Sequence, residues 1–188
     1  MRRFSLALFL AALAVLGSVL SPGAARADRQ VILTVTGEID NANRSQMNPF
    51  QDALFDVLGE TFDRGFTMTL ADLEKLPFET MTVQYPNWPA PVKVEGPRLA
   101  AVLDRAGAVG AGVMVQAVDG YSPSFKMKDV RNGAFVLAVR ANGKPLSLGG
   151  RGPVWLVYPP KSYAGHQPDD DSGLAWAVFH IKVMAEAP

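Results

Sequence analysis

Residues 31–37, VILTVTG, alternate apolar and polar side chains and are rich in β-branched residues, which predicts a first strand. Residues 38–49 are polar and read as a loop. In FQDALFDVLGE, residues 50–60, Phe50, Leu54, Val57 and Leu58 recur at helical spacing. TLADLEKLP predicts a short helix over 69–77, with Thr69 as cap, Leu70, Leu73 and Leu76 as the apolar stripe and Pro77 as the stop. Residues 79–86 read as a strand, and NWPAP as a stiff turn carrying Trp88. EGPRLAAVLDRAG predicts the clearest helix of the chain. Pro97 takes its first position, Leu99, Val102, Leu103 and Ala106 share a face, and Gly107 ends it. VMVQAVDGY is an apolar strand that stops at Asp119-Gly120-Tyr121. Residues 134–148 give a strand, an Asn142-Gly143 turn and a return segment. PVWLVYP, residues 153–159, is a further strand, followed by a long polar loop to Ser172. WAVFHIKVM closes the chain with a strand in which Phe179, Ile181 and Val183 share one face.

Many strands and three short, dispersed helices make an α+β chain with a mostly β core. They do not form regular βαβ units, so a dinucleotide-binding reading is poor. Gly149-Gly150-Arg151-Gly152 precedes a strand rather than a helix, which makes it a weak anion-binding signal.

The first residues add a compartment. Arg2 and Arg3 precede an apolar run over 4–20, and Ala25 and Ala27 offer an A-x-A cleavage site. This predicts a secretory signal over 1–27, a single domain over 28–188 and a periplasmic location. The apolar run is near the roughly 20 residues of a spanning helix, so a membrane anchor is the competing reading. The signal takes Arg2, Arg3 and Arg26 and no acid, leaving 15 basic against 18 acidic side chains, or −3. No basic stripe points to nucleic acid or a membrane surface. The chain has no cysteine and only two histidines, His166 and His180. Disulfides, thiolate catalysis and Cys- or His-rich metal centres are thereby excluded.

Candidate chemistry is sparse. No serine sits in a G-x-S-x-G elbow. Asp119, just past an apolar strand, either bonds its own turn or faces a ligand. Trp88, held between Pro86 and Pro89, is a core, lid or site aromatic. Trp176 opens the last strand and reads as core. In PVWLVYP, Trp155 and Val157 point to one side and Val154, Leu156 and Tyr158 to the other. One of its two aromatics is then core, and the other faces a cleft. His166 lies in the long loop, where solvation is the default. Asp169-Asp170-Asp171 reads as a solvated acidic tip.

The ordered set LTVTGEI, GPRLAAVLDRAGA, VMVQAVDGY, FVLAVRANGKPLSLGGRGPVWLVYP and WAVFHIKV resembles the oxidoreductase molybdopterin-binding domain, the sulfite-oxidase fold. The resemblance implies a molybdenum-ligating cysteine near residues 82–84, and none is present. A soft thiolate is not matched by Thr or Gln. Where the family's enzymes carry a phosphate-gripping Arg in the GP-strand, this chain has Trp155. A cysteine-less exported subgroup of PruR-type proteins is similar. That likeness implies a non-catalytic protein with no redox cofactor. It would bind a free, possibly reduced pterin and report it to the periplasmic domain of an inner-membrane receptor that controls cyclic-di-GMP turnover. On this reading Asp119 accepts the ring N3–H and 2-amino hydrogens. Trp88, Tyr121 and Trp155 cover the ring. Arg151 and Lys161 flank the strand, and His166 sits in the closing loop. The alternatives are a sulfite- or sulfoxide-type molybdopterin oxidoreductase with an atypical metal site, and a binding module for another small ligand.

Overall fold

The computed structural model describes residues 30–188; the expected signal segment lies outside them. Strand β1 (Val31–Gly37) pairs in parallel with β12 (Val178–Met184) and antiparallel with β3 (Arg64–Thr69). These form the centre of a six-stranded sheet. Its edges are β2 (Arg44–Ser45) on one side, and β6 (Gly112–Ala117) followed by β7 (Ser124–Lys126) on the other. A four-stranded sheet holds β4 (Phe78–Val83), β5 (Val92–Pro97), β9 (Arg140–Ala141) and β10 (Lys144–Pro145). A two-stranded ladder pairs β8 (Val136–Ala138) with β11 (Trp155–Val157). Four short helices occur among the described residues: α1 (Ala53–Val57), α2 (Leu70–Glu74), α3 (Leu99–Ala106) and α4 (Met127–Asn132). The α+β, mostly β reading holds.

Alternation on the central sheet separates two environments. Leu33, Val35, Val113, Val115, Ile181 and Val183 face the main core, where Leu99, Val102, Leu103 and Ala106 of α3 and the whole β8–β11 ladder are buried. The opposite face carries Thr36, His180 and Gln116 under a small cluster of Met47, Phe55 and Phe62. Thr36 Oγ1 lies 2.7 Å from His180 Nε2, and Nδ1 lies 2.8 Å from Gln116 Oε1. A line of buried polar groups thus crosses three strands and is satisfied internally. Close approach fixes Gly96: a Cβ there would sit 2.0 Å from the Leu137 carbonyl oxygen, where β5 crosses β8.

The structure amends several expected elements. Pro97 ends β5, paired with Phe78, rather than starting α3. The Leu99 amide donates to the Phe135 carbonyl, which draws residues 97–98 out extended along β8. The expected stripe of α1 faces solvent, with Phe50 93% and Val57 80% exposed. Phe55 is the buried residue instead, packed 5.2 Å from Phe62 and 5.0 Å from Phe179. In β12 a register shift between Val178 and His180 puts Val178 in the main core with Ile181 and Val183 and turns Phe179 to the small cluster. The β3 and β5 strands and α4 have no counterpart in the expected elements. The Asn142-Gly143 turn forms as expected, with φ of 50° and 75°.

Candidate functional site

Four loops meet at one end of the β8–β11 ladder and line a cleft of about 360 Å³. Trp88, Tyr121, Arg151, Asp171, Ser172, Leu174 and Trp176 line it. The volume lies at the small end of the range for small-molecule sites.

Each wall is fixed by local chemistry. The turn after β4 is tied by Gln84, whose Nε2 donates to the carbonyls of Tyr85 (2.7 Å) and Trp88 (3.1 Å). It sets Trp88 against Trp155, with centroids 5.6 Å apart and planes 30° from parallel. Beneath, the Tyr85 hydroxyl donates to the Tyr158 carbonyl at 3.0 Å, and burial pushes the pKa of both phenols above its ordinary value. The Trp88 indole Nε1 donates to Asp171 Oδ2 at 2.9 Å, and Asn87 Nδ2 donates to the same oxygen at 3.2 Å. Among the described residues Oδ1 of Asp171 takes no hydrogen bond. On the far side the Tyr121 hydroxyl donates to the Ser172 carbonyl. Two aromatics therefore hold the end of the long loop. The Ser172 hydroxyl and amide both donate to Asp170 Oδ1, which keeps the Asp170 carboxyl below its usual range. Arg151 enters from the turn before β11, its carbonyl accepting from the Ala177 amide at 3.0 Å.

Of the residues expected in the site, Trp88, Tyr121 and Arg151 come together here. Trp155 is 1% exposed and lies behind Trp88 and Arg151 rather than on the wall. Asp119 is exposed and spends Oδ1 on the Tyr121 amide at 3.0 Å, the turn-making bond of its short side chain. Lys161 is exposed at a left-handed backbone position, φ 63°. His166 is not solvated. It is buried, stacked 4.8 Å from Tyr163, accepts from the Ser162 amide at Nδ1, and donates from Nε2 to the Asp170 carbonyl. It is a strut of the loop.

Four lining residues were not expected: Asp171, Ser172, Leu174 and Trp176. Trp176, read as core, is 46% exposed on the cleft, because Ala177 takes a left-handed backbone, φ 53°, just before β12. Asp171, read as part of a solvated tip, is a half-buried wall. Its one available signal was its place at the end of the loop ahead of the last strand.

The molybdenum centre of the sulfite-oxidase fold finds no ligands here. The chain has no cysteine. At residues 82–84, Val83 is core and the Gln84 amide is spent on its turn. Among the described residues no group of three His, Cys, Asp or Glu side chains could hold a metal ion. The donor set does not fit the metal.

Fold and cleft together define an α+β domain with an aromatic cleft that carries a single carboxylate. The sequence model of the oxidoreductase molybdopterin binding domain matches residues 51–167, and the chain belongs to that family. Among solved structures, the sulfane dehydrogenase SoxCD from Paracoccus pantotrophus shares the fold. The match has a TM-score of 0.57 and 19% identity, over 82% of this chain and 38% of that one. The chain therefore spans well under two thirds of that protein. No curated protein matches.

Proposed function

We propose that the cleft binds a free pterin and that the chain is a non-catalytic periplasmic binding protein. It reports its ligand to the periplasmic domain of an inner-membrane receptor governing cyclic-di-GMP turnover. The observation that supports this is the wall itself: Trp88, Tyr121 and Trp176 surround one half-buried carboxylate, Asp171, in a chain without a thiolate. A pterin presents N3–H and a 2-amino group side by side, and a carboxylate accepts both. The flat ring finds aromatic faces. In this reading Asp171 takes the acceptor role, and Asp119 shapes the turn that positions Tyr121.

The test is to denature protein purified from its own periplasm and analyse the released ligand by mass spectrometry, with molybdenum measured in the same sample. Free pterin without molybdenum is the expected result. Molybdopterin with molybdenum would overturn the reading and favour an oxidoreductase with an atypical metal site. Should the protein emerge empty, titration with reduced pterins decides. No binding there would leave a module for some other ligand.

A further inference from the structure

The cleft is lined by two full charges of opposite sign, Asp171 and Arg151, which do not form an ion pair with each other. Opposite charges that share a space of about 360 Å³ attract, and stay apart only where each is held elsewhere. Asp171 is fixed through Oδ2 by the Trp88 indole at 2.9 Å and the Asn87 amide at 3.2 Å. Arg151 lies over the Trp155 ring, with Cζ 4.4 Å from the ring centroid. Its backbone is tied down as well. The Ala177 amide donates to the Arg151 carbonyl at 3.0 Å, and the next amide, of Gly152, donates to the Ser147 carbonyl at 3.1 Å. The guanidinium is exposed, and among the described residues it makes no ion pair and donates no hydrogen bond. The cleft therefore presents one unused acceptor, Asp171 Oδ1, and one unused set of donors, the Arg151 N–H groups.

We propose that Arg151 is the specificity-determining donor of this cleft and reads a carbonyl on the bound ring. Asp171 and Arg151 then recognise one ligand edge between them, N–H donors followed by an oxo acceptor. A carboxylate accepts and does not donate, and a guanidinium donates and does not accept. Sharing a cleft without pairing, they are the complement of that edge, which a 2-amino-4-oxo ring presents. A carbonyl polarised by the guanidinium also makes the neighbouring ring N–H a stronger donor to Asp171, so the two contacts reinforce each other. The inference rests on reading the cleft as a heterocycle site and adds the residue that selects among heterocycles.

Two compounds isolate the acceptor. 2-Amino-4-oxopteridine and 2-amino-4-thioxopteridine carry the same N–H donors for Asp171, but the sulfur is a weak acceptor. Purified wild-type protein, Arg151→Met and Arg151→Lys are titrated with both by calorimetry. The wild type should prefer the oxo compound by roughly tenfold. Arg151→Met keeps a long side chain over Trp155 and removes the donors. It should weaken the oxo compound roughly ten- to hundredfold, the worth of one charge-assisted hydrogen bond, and bring the two compounds within about threefold. Arg151→Lys, which is also a cation that only donates, should keep the preference. A wild type that binds both compounds equally overturns the donor role and leaves the heterocycle reading standing. An Arg151→Met protein that weakens both compounds alike, as lost packing would, overturns the donor role too. If that variant does not fold, loss of the preference in Arg151→Lys overturns it instead. A wild type that binds neither pteridine overturns the heterocycle reading of the cleft, and the donor role with it.

Discussion

At the residue scale the cleft turns on which of two aspartates does which job. Asp119 and Asp171 both stand near Tyr121, and both serve the backbone or side chains around them. Asp119 closes its turn through the Tyr121 amide. Asp171 receives the Trp88 indole and the Asn87 amide on one oxygen, which holds its carboxylate in the wall. Charge-assisted hydrogen bonds are worth about 1.5–3 kcal/mol. Asp171→Asn should therefore weaken pterin binding roughly ten- to hundredfold in a direct titration. Asp119→Ala should leave affinity within about threefold and lower the unfolding free energy by about 1 kcal/mol, the worth of one turn bond. Equal affinity losses in the two variants would return the acceptor role to Asp119. The sequence could not make this choice. An Asp after a strand and an Asp in a polar loop are alike until the loop's end is seen pinned by Trp88 and Tyr121. Trp88 itself was legible, because flanking prolines mark a rigid aromatic. Trp176 was not, because the left-handed Ala177 that turns it outward leaves no trace in composition.

At the scale of elements, local chemistry and tertiary packing divide the work. Helix α2 is a local element. Thr69 accepts from the Asp72 amide at 3.1 Å, and Asp72 Oδ2 accepts in return from the Thr69 amide, also at 3.1 Å. Such a reciprocal cap is readable from sequence, and Leu73 beneath it is fully buried. Thr69→Ala should cost about 1 kcal/mol of stability by chemical denaturation. The Thr69 amide and hydroxyl, followed by Lys75, hold the Asp72 carboxyl below its ordinary value. Its stabilising contribution is present above that ordinary value of 3.8 and fades as pH falls through the lower folded one. Asp72→Asn should flatten the acid limb below about pH 4, and an unchanged limb would remove Asp72 from that role. Helix α1 is the opposite case. Its five residues are too few for periodicity to choose a face, and Phe55 is selected by Phe62, Phe179 and His180. Strand β5 escaped notice for a related reason. Its Pro97 suits a helix start as well as a strand end, and only the bond from Leu99 to Phe135 decides between them.

For the whole molecule, the fold keeps the scaffold of its family while the donor set for the metal is gone. What it keeps instead is a buried polar line on the outer face of the central sheet. His180 is fully buried there between Thr36 and Gln116. Burial is the dominant influence and pushes its pKa down from 6.5 to about 4; nearby Glu60 opposes this and Lys182 reinforces it. The sign of the consequence follows from linkage. The unfolded chain takes up the proton near 6.5 and the folded chain only near 4, so acid favours unfolding across that window. Stability should be complete above about pH 6.5, then fall by an amount on the order of 3 kcal/mol by pH 4. The carboxylates held low in the fold, Asp52, Asp72 and Asp170, act below their ordinary 3.8 and so add their loss at more acid pH. Replacing His180 by Gln keeps a hydrogen-bonding side chain in the line and removes the titration. Urea denaturation at half-unit steps from pH 7 to 4 should show a sloping stability for the wild type and a nearly flat one for His180→Gln, whatever the variant loses at neutral pH. Parallel slopes would mean that the histidine is not kept neutral by its burial.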